Sequence, residues 1–144
     1  MKDASVKLFS LLHTTLYRAT GGAIGRRLVN NDMLLLTTSG RSTGARHTVP
    51  LLYLREGERF VVIASYGGRP HHPEWYLNLL TQPDAMVQTE RTTTPVIATT
   101  MSTADRDIWW PRIVTAYADY ANYQSRTERQ IPVVWLDPRT EDSE

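Results

Sequence analysis

The chain has 144 residues, with sixteen Lys or Arg against fifteen Asp or Glu and a formal net charge of +1. That is enough for one domain with a real core, and too balanced to argue for nucleic acid or an anionic membrane as a whole-chain partner. Cysteine is absent, which excludes disulfides, zinc–thiolate sites and thiol nucleophiles and fits a reducing compartment. No apolar run approaches the roughly 18 residues a membrane helix needs.

Residues 4–19 carry apolar side chains at helical spacing, with Phe9, Leu12, Leu16 and Ala19 on one stripe. Gly21 and Gly22 end the pattern. Lys7, His13 and Arg18 interrupt the apolar positions, so no cleaved signal is read there, and a cytoplasmic protein is expected. The favoured reading packs this helix on the body of the protein. A second reading lays it on the inner face of a membrane, with Lys2, Lys7, Arg18, Arg26 and Arg27 near headgroups.

From Met33 the pattern turns to β. Residues 33–38 read as a buried strand. Residues 46–54 read as a second, with Pro50 arguing for an edge or a bulge. A hairpin turn at 55–58 leads into a third strand over 59–65. Residues 73–80 predict a short helix opened by Pro73. Strands over 84–90 and 94–101 pair around a turn at 91–93. Ser102 is an N-cap with Asp105 three residues on, starting a longer helix that contains Pro111 and ends in Tyr117, Tyr120 and Tyr123. A last strand runs over 131–136. Three segments result: an N-terminal helix over 1–30, a β domain over 31–138 and a polar tail over 139–144. Short serial strands with few intervening helices favour a mainly β fold with α, a six-stranded antiparallel barrel with helices packed outside.

Three stretches carry polar or aromatic chemistry. Gly40-Arg41-Ser42-Thr43-Gly44 offers two hydroxyls and a guanidinium in a glycine turn, donors that suit a phosphate. It lacks a P-loop's Gly-Lys-Ser/Thr ending, and a solvated hairpin turn explains it as well. Ala64-Ser65-Tyr66-Gly67-Gly68 is a small-residue strand exit that lets a flat ligand approach the backbone. Tyr117, Tyr120 and Tyr123 recur every three residues, which spacing alone reads as core packing before it reads as a pocket wall. Adjacent His71 and His72 do not share a helix face, and no metal site is read.

Taken together, the stretch 34–44, Thr48-Val49-Pro50-Leu51, Ala64-Ser65-Tyr66-Gly67-Gly68, His72-Pro73-Glu74-Trp75-Tyr76-Leu77-Asn78-Leu79, the tyrosines and Ile131-Pro132-Val133 resemble the deazaflavin-dependent nitroreductase family. These are split-β-barrel oxidoreductases of actinobacteria that use reduced coenzyme F420, and the match spans about residues 30–137. The resemblance implies that Arg41, Ser42, Thr43 and His47 hold the cofactor's phosphate and acidic tail. It implies that Thr48, Val49, Pro50, Ala64, Ser65, Tyr66, Gly67, Trp75, Asn78 and Tyr120 line the deazaflavin. It places Leu52, Tyr117, Tyr120 and Tyr123 around the substrate, with Ser65 and Tyr120 as catalytic hydrogen-bond donors. The implied partner is a small-molecule electron acceptor: a quinone, a nitroaromatic or an activated enone. Ser42, His47 and Tyr66 stand where the family has basic residues, and Leu52 where some members have tyrosine. Two alternatives remain open: an FMN- or haem-binding split barrel, and a deazaflavin carrier without catalysis.

Overall fold

The structure, a computed structural model, describes residues 33–90 and 92–139. The N-terminal helix and residues 140–144 of the polar tail lie outside the described residues. Among the described residues seven strands form one antiparallel sheet: β1 (Met33–Ser39), β2 (Arg46–Leu52), β3 (Leu54–Glu56), β4 (Arg59–Ile63), β5 (Asp84–Thr89), β6 (Thr92–Thr100) and β7 (Val133–Pro138). Their order is β2-β1-β5-β6-β7-β4-β3. The run read as one strand over 46–54 is therefore two strands, broken at Tyr53. Leu52 pairs with Met33 on β1, and Leu54 pairs with Val61 on β4. The two edges of the sheet are consecutive pieces of chain, so the sheet curls enough to bring Leu52 and Leu54 to one corner, where Tyr53 is the seam. Pro50 sits on the edge strand β2 opposite Leu35, where its missing N–H is tolerated.

Alternation sorts the side chains. Leu34, Leu36, Phe60, Val62, Ala85, Val87, Val96, Val134 and Leu136 point into the barrel. Helix α1 (Glu74–Thr81) plugs one end of it with Trp75, Tyr76 and Leu79. Pro73 is its N-cap residue, its carbonyl accepting from the N–H groups of Tyr76 and Leu77. On the outer face Val61, Ile63, Val133 and Trp135 are covered by helices α2 (Thr103–Ala116) and α3 (Asp119–Ser125) through Trp109, Ile113 and Tyr120. Each such large apolar side chain fully buried contributes about 1.5–3 kcal/mol. The Ser102 hydroxyl accepts from the Asp105 N–H at 3.1 Å, as the N-cap reading expected.

Three sequence boundaries shift. The tyrosines do not finish one long helix: α2 ends with Tyr117 as its C-cap at φ −139°, and α3 restarts two residues later. The β5–β6 turn is tighter than read, because Thr89 already pairs with Thr92. At the C-terminal end, β7 runs to Pro138. Arg139 is tied to β6 through the Pro95 carbonyl and to Asp84 by an ion pair of 2.8 Å, so the polar tail starts one residue later than residue 139.

Candidate active site

A cleft of about 1660 Å³ runs from the Gly40–Gly44 turn along β2 to the tyrosines of α2 and α3. All but one of the seventeen residues singled out from the sequence line it: Arg41, Ser42, Thr43, His47, Thr48, Val49, Pro50, Leu52, Ser65, Tyr66, Gly67, Trp75, Asn78, Tyr117, Tyr120 and Tyr123. The other, Ala64, is fully buried with its side chain in the barrel core and its N–H on the Pro132 carbonyl. The cleft wall also holds Arg46, Arg69 and Arg126, so four arginines face two carboxylates, Glu74 and Asp119.

The cationic end is built by the turn between β1 and β2. Gly40 N–H donates to the Ala45 carbonyl, Gly44 N–H returns to the Gly40 carbonyl (both 2.7 Å), and the Thr43 hydroxyl accepts from the Ala45 N–H. The His47 ring lies over Gly40, where a Cβ would meet Nε2 at 3.1 Å. Arg41 is not a loose cation. Its guanidinium donates to Glu74 at 2.7 Å and to Asn78 Oδ1 at 3.0 Å, and its N–H reaches the same Asn78 oxygen. Asn78, buried on α1, donates in turn to the Thr38 hydroxyl. Arg46 makes no ion pair among the described residues.

The middle of the cleft is floored by a three-residue turn. Tyr66, Gly67 and Gly68 all have positive φ, at 48°, 65° and 80°. For a tyrosine that region is uncommon and strained. The surrounding bonds over-determine it. Gly68 N–H donates to the Ser65 carbonyl and Arg69 N–H to the Tyr66 carbonyl. Arg129, on the connection from α3 to β7, donates to the carbonyls of Ala64, Ser65 and Arg69 and to His72 Nδ1. Because His72 accepts there, its ring is neutral. Burial foremost, then the Arg129 charge and His71, push its pKa down.

The far end is aromatic. Tyr120 meets Tyr117 and Tyr123 edge-to-face, with centroids 6.0 and 5.7 Å apart. The Tyr117 hydroxyl donates to the carbonyl of Tyr53, the seam residue, at 2.9 Å. Tyr120 is only 7 % exposed, and its hydroxyl has no hydrogen-bond partner among the described residues. Ser65, 8 % exposed, is in the same position. A buried hydroxyl left unpaired costs about 1–3 kcal/mol. Burial, then Tyr117 and Tyr123, push the Tyr120 phenol's pKa up, so it stays protonated.

Sequence reasoning missed Arg129 and the pairing of Arg41 with Glu74. No local pattern marks Arg129. Glu74 lay in the resemblance but was read only as part of a helix start.

A curled antiparallel barrel with an elongated cleft, lined by arginines at one end and tyrosines at the other, defines a protein of the split-barrel class. The chain belongs to the F420H(2)-dependent quinone reductase family, whose model matches residues 10–138. It is 39 % identical over 132 residues to an F420H(2)-dependent quinone reductase of Mycobacterium tuberculosis strain H37Rv, covering 89 % of each chain. Among solved structures it is similar to an F420-H2 dependent reductase, FDR-A, with TM-score 0.68 and 36 % identity over 74 % of this chain and 94 % of that one. A second, described as a domain-swapped dimer, gives TM-score 0.70 and 32 % identity over 88 % and 96 %. The family is F420H2-dependent, which implies coenzyme F420 as cofactor. Among the described residues no helix is long and apolar enough to cross a membrane.

Proposed function

We propose that the chain transfers a hydride from reduced coenzyme F420 to quinones, and by the same chemistry to nitroaromatics or activated enones. The observation that carries this reading is the pair of buried hydroxyls of Ser65 and Tyr120 on one cleft, neither with a partner among the described residues. A ligand oxygen seated between turn and tyrosines supplies one.

The residues present fit the cofactor. Arg41, Ser42, Thr43, Arg46 and His47 supply donors and positive charge for phosphate and acidic tail. Gly67, where a Cβ would meet nothing within 4 Å, leaves the floor open to a flat ring. Pro50, Val49 and Trp75 give it apolar walls. Reduced deazaflavin, when bound, supplies the hydride. The chain's own part is to hold the acceptor and stabilise the charge that arrives with it. The Tyr120 hydroxyl, kept protonated by burial, donates to the acceptor oxygen, and Ser65 donates from the floor. Tyr117 and Tyr123 shape the apolar wall and exclude water. A phenol whose pKa is raised keeps its proton, so it remains available as a donor and is a poor proton source, which favours solvent as the origin of the proton that completes reduction.

Titration of the purified protein with coenzyme F420 and with FMN, followed by turnover with quinone acceptors, tests the reading. Tighter binding of coenzyme F420 and turnover are expected. Equal or tighter FMN binding overturns the cofactor assignment, and binding without turnover leaves a carrier.

A further inference from the structure

We propose that Arg129 is a positioning residue for the cofactor ring, acting through the turn at 65–68. The inference rests on the cofactor reading above. Four of the five guanidinium N–H donors are used: Nε on the Arg69 carbonyl at 3.0 Å, one Nη on the Ala64 carbonyl at 3.2 Å and His72 Nδ1 at 2.9 Å, the other on the Ser65 carbonyl at 2.7 Å. These carbonyls flank the three positive-φ residues on both sides. The fork therefore fixes the two ends of the turn relative to each other, leaving the strained Tyr66 no room to relax.

Arg129 is itself held from behind. The Gln124 side chain donates to the Arg129 carbonyl at 2.8 Å and accepts from the Ile131 N–H and from Arg106. Arg106 on α2 also donates to the Ile131 carbonyl at 2.8 Å. Arg106 and Gln124 thus set the loop, the loop sets Arg129, and Arg129 sets the floor on which Ser65 and Gly67 meet a flat ligand. A lysine carries the charge but offers one nitrogen in place of three, so it cannot span the carbonyls on both sides of the turn.

The test compares wild type with Arg129→Met and Arg129→Lys in three measurements. Amide exchange of the unliganded protein reads Gly68 and Arg69, whose N–H groups close the turn. Affinity for oxidised coenzyme F420 and the absorption shift of the bound chromophore read the floor. Urea unfolding reads the fold. We expect exchange at Gly68 and Arg69 to rise at least tenfold in Arg129→Met while the β-strand amides keep their rates. Coenzyme affinity should fall at least tenfold in fully folded protein, the chromophore shift should change, and Arg129→Lys should fall between. Unchanged turn exchange overturns the proposal, as does a loss of affinity that merely follows the folded fraction. If Arg129→Met does not fold, Arg129→Lys decides by the same readings. Wild type that fails to bind the coenzyme refutes the cofactor reading instead, and turn exchange then decides whether Arg129 holds the turn.

Discussion

A Cβ on Gly68 would lie 2.5 Å from the Tyr123 carbonyl oxygen and 3.0 Å from its Cα. The turn that floors the cleft and the helix that carries its tyrosine wall are therefore in backbone contact. Gly68→Ala must both strain a φ of +80° and push α3 away. The expected loss of stability is about 2–4 kcal/mol, combining left-handed strain with overpacking. Gly67→Ala, at φ +65° but facing open space, should lose only about 1–2 kcal/mol. Urea unfolding of the two variants checks the ordering, and equal losses would mean that α3 moves aside freely.

Tyr120→Phe removes a buried hydroxyl that has no partner among the described residues, so stability at neutral pH should be unchanged or slightly raised. If that hydroxyl donates to the acceptor, single-turnover oxidation of the bound reduced cofactor by a quinone should slow by about five- to 150-fold, equivalent to about 1–3 kcal/mol. The pH dependence has a definite sign. The folded phenol's pKa lies above its ordinary 10, so only the unfolded chain loses that proton as pH rises past 10, and stability falls there. Tyr120→Phe should lose less stability than wild type above pH 10. An unchanged quinone rate would leave the tyrosine row a packing element.

Arg41 and Glu74 should act in opposite directions on coenzyme affinity. Arg41→Ala removes a charge-assisted donor and should weaken binding by about 1.5–3 kcal/mol, less at high salt. Glu74, 59 % exposed and 2.7 Å from the Arg41 guanidinium, competes with an anionic tail for it. Glu74→Gln should therefore tighten binding by about 0.5–1 kcal/mol. Titrations at low and high salt check both, and weaker binding in Glu74→Gln would mean that the pair orients Arg41 instead.

His72 makes stability acid-sensitive. Its folded pKa is held below the ordinary 6.5 by burial and by Arg129, so the unfolded chain takes up a proton first as pH falls. Its contribution to stability is present above pH 6.5 and is lost as pH drops through the folded value. His72→Asn keeps an acceptor near the Nδ1 position and cannot titrate. Urea midpoints between pH 7.5 and 5 should fall less in that variant than in wild type. Parallel curves would place the acid sensitivity elsewhere.

The strand pattern was legible because alternation and turn chemistry are local, and Pro50 announced an edge before any pairing was known. The cleft was legible only as several ordered motifs together, since each alone reads as an ordinary turn or core segment. The break at Tyr53 was not, because its cause is a change of neighbour, from Met33 to Val61, that nothing in the residues around it encodes. The break after Ala116 was hidden too: the Tyr117 hydroxyl at the helix end bonds the Tyr53 carbonyl, 64 residues away in sequence, a pairing no local pattern shows. Arg129 could not be found because three of the four partners of its guanidinium are backbone carbonyls, and a carbonyl has no sequence signature.

The place of β7 bears on the order in which the molecule can assemble during synthesis. It is the last of the described strands in chain order, yet it lies between β6 and β4, joining Val96 to Pro138 on one side and Phe60 to Leu136 on the other. Without residues 133–138 the pairing leaves two separate ribbons, β2-β1-β5-β6 and β4-β3, which only β7 joins. Pairing that spans more than seventy residues is slow to find. Arg129 emerges just ahead of β7, so the guanidinium that ties the 65–68 turn and the strand that joins the two ribbons become available together.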